Sequence, residues 1–325
     1  MEKCNPVRLN PWNVRSRVKN LLKILFVIFM LAGMSNLIPF TVYGEDLTVS
    51  ELLEKARKGD ADVQYTLGEM YKYGEGVIED DKESFKWYSL AADSYRILAE
   101  QGNADAQYML GEMYKMGDGV PYNEIESFKW YSQAAKSYRS SAEKGNADAQ
   151  YKLGDSYRFG EGISQDFGEG IKWYLKAAEQ GHIKAQYQLG WIYQNGSGVA
   201  KDEKEAVKWY LMAAEQRHSE AQYILGYMYQ DGKGVIQDYK KSAKWYTRAA
   251  EQGHTQAQFN LGWMYEQGEG VLQDYIRAYA WYSIAASQQH DVAKYNRETV
   301  LPKMPRTQIE EGQSFAKELY DKIYK

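Results

Sequence analysis

Four histidines, His182, His218, His254 and His290, stand 36 residues apart. Imidazoles can act as general bases or metal ligands. A metal, however, needs ligands that converge at about 2 Å on one point. Residues recurring at one spacing in a repeating chain form a row instead. The three earlier counterparts of these histidines are Asp60, Asn103 and Asn146, which are helix-start residues. The histidines are therefore read as structural. The single cysteine, Cys4, excludes an internal disulfide framework and a thiolate zinc site. Ser-x-x-Lys occurs at Ser16–Lys19, Ser141–Lys144 and Ser314–Lys317 without Ser-Asp-Asn or Lys-Thr-Gly, so it supports no serine acylase. The Gly-x-Gly turns lack the Lys-Ser/Thr of a phosphate loop and follow helical segments. Acidic pairs are plentiful, but they read as caps and solvated faces. No catalytic residue, cofactor site or metal site emerges, and the chain reads as a non-enzyme.

The elements that carry these residues are set by a repeat. Leu-Gly recurs with Gly at 68, 111, 154, 190, 226 and 262. Further glycines follow six and eight positions on. Trp-Tyr recurs at 87/88, 130/131, 173/174, 209/210, 245/246 and 281/282, with Ala-Ala four residues after each Trp. Each unit reads as two helices. The first carries Ala-Gln-Tyr-x-Leu-Gly-x-x-Tyr, as in Ala106 to Tyr114, and ends at the glycine pair. Seven residues before each Trp stands Asp80, Asn123, Asp166, Asp202, Asp238 or Asp274, an N-cap for the second helix. Glu83, Glu126, Glu169 and Glu205 follow three residues on, in capping-box spacing. A glycine inside a helix costs ~1 kcal/mol. Its recurrence in Leu-Gly implies a Trp or Tyr ring packed on the bare backbone. The fold class is all-α.

The patterns Ala-x-x-x-Leu-Gly-x-x-Tyr, Gly-x-Gly-Val, Lys-Trp-Tyr and Ala-Ala-Glu-x-Gly resemble the Sel1-like repeat family, a relative of the tetratricopeptide repeat. The resemblance covers about residues 48–290. It implies a right-handed superhelical solenoid of six antiparallel helix pairs, and adaptor roles for the protein. Some bacterial members carry a disulfide in each repeat; this chain does not follow that subgroup. Solenoids need capped ends. The expected layout is an N-terminal capping helix within 45–59, six repeats over 60–290, and a linker and capping helix over 291–325. Thr307 and Glu310 are spaced as a capping box for that last helix, with Ile309, Phe315 and Leu319 facing the repeats.

Two sets of residues could meet a partner. The column after Leu-Gly reads Glu69, Glu112 and Asp155, then Trp191, Tyr227 and Trp263. Three residues further, Lys72, Lys115 and Arg158 complete local ion pairs in the first block. Tyr187, Tyr223 and Phe259 precede the second-block aromatics by four, on the same helix face. Together they form an aromatic ladder, read as a protein-binding row. The competing reading is packing between repeats. Units one and two are seven residues longer, through Ser94–Glu100 and Ser137–Glu143. Two extra turns lengthen their second helices by ~10 Å, either as a longer wall or as a second contact surface made by Tyr95, Arg96, Tyr138 and Arg139.

Residues 1–44 are a separate object. Six basic residues come first, and Ile24 to Tyr43 is then free of charge. Val42-Tyr43-Gly44 could precede a cleavage site, so the segment reads as a signal peptide. Twenty uncharged residues are also long enough for an uncleaved inner-membrane anchor over 24–43. Without residues 1–44 the basic residues fall from 40 to 34 and the acids from 44 to 43, giving −9. That charge disfavours nucleic acid and anionic membrane surfaces. The resulting expectation is an exported, periplasmic or secreted scaffold, bacterial by preference, with a protein or peptide partner. After cleavage it would make no membrane contact. The alternatives are a glycan- or peptidoglycan-binding envelope protein and a cell-wall-related hydrolase.

Overall fold

A computed structural model describes residues 40–42 and 45–325. Apart from Phe40–Val42, the expected export segment lies outside the described residues. Phe40–Val42 (β1) pairs antiparallel with Glu45–Leu47 (β2). Among the described residues everything after β2 is helical apart from connections. The helices are α1 Val49–Arg57, α2 Ala61–Tyr73, α3 Asp81–Glu100, α4 Ala104–Met116, α5 Glu124–Glu143 and α6 Ala147–Phe159. Then come α7 Phe167–Glu179, α8 Ile183–Asn195, α9 Glu203–Glu215, α10 Ser219–Asp231 and α11 Tyr239–Ala250. The chain closes with α12 Thr255–Gln267, α13 Tyr275–Ser287, α14 Asp291–Val300 and α15 Arg306–Tyr324. Two compact units divide at residues 137 and 138, inside α5.

The same devices build every repeat. Asp60, Asn103, Asn146, His182, His218 and His254 cap the first helices, each side chain accepting from the third helical amide. Each first helix stops at a left-handed glycine, Gly74, Gly117, Gly160, Gly196, Gly232 or Gly268. The six Asp/Asn residues named above cap the second helices. Their glutamates do not close capping boxes. Glu83, Glu126, Glu169 and Glu205 pair with Lys86, Lys129, Lys172 and Lys208 three residues on. The cap amides are already taken: Asp80, Asn123, Asp166 and Asp202 donate to the carbonyls of Tyr71, Tyr114, Tyr157 and Tyr193, each at 2.9 Å.

The Leu-Gly glycine holds the two helices together. A Cβ at Gly68, Gly111, Gly154, Gly190, Gly226 or Gly262 would fall 2.5–2.8 Å from a ring carbon of Tyr88, Tyr131, Tyr174, Tyr210, Tyr246 or Tyr282. The Tyr of Trp-Tyr therefore lies flat against bare backbone, and the last four of these rings are completely buried. A column of buried glutamines links neighbours. Gln186, for example, donates to the Ala178 carbonyl eight residues back and accepts from Gln216.

The seven extra residues change how repeat two sits on repeat one. In 36-residue repeats, the second loop glycine rests at the very start of the preceding second helix. A Cβ at Gly198, Gly234 or Gly270 would meet Phe167, Glu203 or Tyr239, each one residue past its N-cap. Gly119 rests instead against Tyr88 and Ser89, eight and nine residues past Asp80. The step is the whole insertion, two turns or ~10 Å. The C-terminal extension of α3 becomes the floor for repeat two. Its first two turns are left uncovered by the loop of repeat two.

At the ends, Leu52 and Ala56 of α1 share a buried cluster with Val63, Leu67 and Trp87. Leu319 of α15 lies buried with Leu261, Trp281 and Ile284, and Phe315 packs against the same cluster. Two local expectations fail here. Residues 291–300 form α14, capped by His290, rather than a linker. Thr307 lies inside α15, whose N-cap is Pro305 without a side-chain cap bond. The fixed φ of Pro305 and its carbonyl, which accepts from Gln308 and Ile309, start that helix instead.

Candidate interaction site

The aromatic ladder splits into two rows with different surroundings. Tyr187, Tyr223 and Phe259 form the inner row. Each stacks on the following histidine, His218, His254 or His290, with centroids 4.6, 4.5 and 4.7 Å apart. Each also leans on Tyr210, Tyr246 or Tyr282 at 5.8–5.9 Å. All three are half-buried. They are clamped between repeats on two sides, so packing claims most of their surface.

Trp191, Tyr227 and Trp263 form the outer row, also half-buried. Trp191 touches the core clusters of both its neighbours, and Trp263 does the same. Cations cover two of the rings. The Arg158 guanidinium lies 4.5 Å from the Trp191 centroid, and Lys233 Nζ lies 4.3 Å from that of Tyr227. Lys233 also donates to the Tyr227 hydroxyl. Such contacts hold a ring in place and leave a polarised edge beside a fixed positive charge.

The first-block ion pairs survive only in part. Lys115 pairs with Glu112 at 3.6 Å. Lys72 reaches across to Asp118 of the next repeat at 3.0 Å. Arg158 donates to Gln188 at 2.7 Å, besides stacking on Trp191. Its expected partner, Asp155, accepts from Tyr174 at 2.5 Å. Burial holds the Asp155 carboxyl above its ordinary pKa. Burial likewise raises Glu69. Repeats three and four thus meet in one network of Asp155, Tyr174, Arg158, Gln188 and Trp191.

The second expected surface is corrected. Tyr95 and Tyr138 are buried. The Tyr95 hydroxyl donates to Asp62 at 2.5 Å. That is the position where His182 reaches Asp148 at 2.9 Å in a shorter repeat. Arg96 donates to Tyr114 at 3.2 Å, and Arg139 donates to Tyr157. The two tyrosines are taken up by packing, while Arg96 and the exposed Arg139 each reach a tyrosine of the following first helix. The inserted segments lengthen α3 and α5 at their C-termini, where neighbouring first helices await a partner.

The histidines lie along the row that their spacing dictates. Each Nδ1 accepts from an amide three residues on, at Ala185, Ala221, Ala257 and Ala293. An accepting Nδ1 leaves the proton on Nε2. That nitrogen contacts Asp148, Glu220 or Gln256 of the preceding repeat for His182, His254 and His290. Among the described residues no group of three His, Cys, Asp or Glu side chains could hold a metal ion. No described helix is long and apolar enough to cross a membrane.

The Sel1 repeat model matches residues 61–94, 104–137, 147–182, 183–218, 219–254 and 255–290. A Sel1 repeat protein from Oxalobacter formigenes is 35% identical, with a TM-score of 0.50, over 74% of this chain and 93% of that one. A protective antigen of uropathogenic Escherichia coli is 27% identical over 86% of this chain and 74% of its own, with a TM-score of 0.42. The Pseudomonas aeruginosa immunity protein Pa5087 is 20% identical over 70% and 81%, with a TM-score of 0.44. No curated protein matches. The chain belongs to the Sel1 repeat family. Its fold is the α-helical repeat scaffold of that family, a class that generally serves protein interaction and is typically non-catalytic.

Proposed function

We propose that this protein is an exported, non-catalytic scaffold that binds a protein or peptide along the outer aromatic row of repeats four to six. Trp191, Tyr227 and Trp263 repeat at one spacing and stay half-exposed, beside Arg158 and Lys233. The observation that carries the reading is this row of large, partly exposed rings, two of them held by cations. Rigid aromatics lose little conformational freedom on binding, which suits them as anchors. Tyr187, Tyr223 and Phe259 act behind them as supports. Export rests on the basic-then-apolar order of residues 1–44 and the acidic remainder.

A cross-linked pull-down from envelope and secreted fractions tests the reading. It compares the unmutated chain with Trp191→Ala/Tyr227→Ala/Trp263→Ala, matched for helical content by circular dichroism. A partner captured only by the unmutated chain is the expected result. Equal capture by both removes the aromatic row from the site. N-terminal sequencing of the exported form tests cleavage before Glu45; an intact N-terminus in the inner-membrane fraction would place an anchor over 24–43.

A further inference from the structure

We infer a second, separate interaction surface on the uncovered first turns of α3 and α5, suited to a basic amphipathic segment of a partner protein. One column of the repeat differs in exposure between its copies. The fifth residue after the second-helix N-cap is Phe85, Phe128, Ile171, Val207, Ala243 or Tyr279. The last four are buried. In repeat three the cover is visible: a Cβ at Gly198 would lie 2.6 Å from Phe167 Cβ and 3.5 Å from Ile171 Cδ1. Phe85 and Phe128, the largest apolar side chains of the column besides Tyr279, stand 57% and 56% exposed.

For Phe85 the cause is the register step. The loop of repeat two has moved two turns along α3, where Ser89 Oγ donates to the Gly119 carbonyl at 2.9 Å. Phe85 precedes Ser89 by one turn on the same face, just beyond the edge of that loop. Trp130, two residues past Phe128, is buried in one cluster with Tyr88, Ala91 and Tyr95 of α3. The two helices are therefore neighbours, and their phenylalanines lie one repeat apart. Ile78, Tyr122 and Ile125 are exposed in the same two segments, Ile125 to 81%. Among the described residues, ten large exposed apolar side chains lie in 47–137 and nine in the longer stretch 138–325.

Charge identifies the occupant. Residues 74–86 and 117–129, which contain this surface, hold eight acids and three bases. The equivalent segments of repeats four to six hold six acids and eight bases in three copies. Two exposed phenylalanines, each with acidic neighbours, fit aliphatic anchors flanked by Lys or Arg. It is distinct from the aromatic row of repeats four to six, so either surface can fail without the other.

The test is fluorescence anisotropy of the full chain with a labelled 18-residue Leu/Lys peptide whose leucines share one helical face. A scrambled peptide of the same composition is the control. The faced peptide should bind more tightly than the scrambled one. Phe85→Ser/Phe128→Ser should weaken it at least about tenfold. Asp81→Lys/Glu124→Lys should weaken it and flatten its salt dependence. Trp191→Ala/Tyr227→Ala/Trp263→Ala should leave it unchanged. Deleting residues 94–100, which returns the repeat-two loop to Phe85, should weaken it without changing any residue of 74–86 or 117–129. Equal binding of both peptides, or insensitivity to the phenylalanines, overturns the proposal. Self-association through Phe85 and Phe128 without peptide binding would also overturn it, assigning the surface to a second copy.

Discussion

Histidine is an uncommon N-cap, and it makes capping depend on protonation. Burial lowers the pKa of His218 below 6.5. Its Nδ1 accepts from the Ala221 amide, which a protonated ring cannot do. The neutral form is therefore favoured by the fold, and the unfolded chain binds the proton more readily. This contribution is complete above pH about 6.5 and is lost as pH falls below it. The urea midpoint should fall between pH 7.5 and pH 5.5, and His218→Asn should remove part of that fall. Asn already caps this column at Asn103 and Asn146, so the variant keeps a cap that does not titrate. Glu220 titrates separately: its hydrogen bond from His254 lowers its pKa below 4.5. Its contribution is present above that value and is lost in more acidic solution. Arg217 gives a second residue-scale test. It occupies left-handed backbone, φ 68, where four other repeats place Gly102, Gly145, Gly181 and Gly253. Arg217→Gly should raise unfolding stability by roughly 1 kcal/mol, read from the urea midpoint; no gain would mean that the Arg side chain supplies a compensating contact.

Within a helix pair, the Leu-Gly glycine is the tightest fit. At Gly190 a new methyl would lie 2.6 Å from Tyr210 Cδ1, in a completely buried ring. Gly190→Ala should destabilise the chain by about 1–3 kcal/mol, although Ala is the better helix former. Denaturant unfolding checks the sign; a neutral or stabilising result would mean that the ring can move aside. This contact was legible in the sequence because a helix-interior glycine repeated six times demands a neighbour. So were the caps and helix boundaries of the six repeats, though not α14 or the start of α15. Two features within the repeats were also not legible. The glutamates in capping-box spacing turn to lysines because Tyr71, Tyr114 and their equivalents already satisfy the cap amides, a contact that sequence spacing does not reveal. Tyr95 looked like added surface, but an inserted heptad must dock on its neighbours, and its hydroxyl finds Asp62. Deleting residues 94–100 joins Ala-Ala-Asp to Gln-Gly-Asn, close to the Ala-Ala-Glu-Gln-Gly-His of the shorter repeats. That chain should fold with helical content near that of the original. Deleting only residues 96–100 turns the helix by about 140°, so it should lose cooperative unfolding.

At the scale of the chain, each helix gains burial from its neighbours, so stability is a sum of repeat and interface contributions. The consequence is sharpest at the C-terminal end. α15 buries Leu319 beside Trp281 and Ile284 and packs Phe315 and Ile323 against the same cluster. The Tyr324 hydroxyl accepts from Gln258 at 2.9 Å. At Gly312 the helix passes so close to Tyr279 that an added Cβ would lie 3.0 Å from the ring. Removing residues 306–325 uncovers all of this. The lost burial is worth roughly 4 kcal/mol, for one full and two partial apolar side chains. If coupling runs mainly between neighbours, that loss stays local. Amide exchange should quicken most in α12 and α13, less in α10 and α11, and little in α2 and α4. Uniformly faster exchange through all six repeats would mean that the chain unfolds as one cooperative block. In that case α15 would act as a clasp on the entire array, and the nearest-neighbour account would be wrong for this protein.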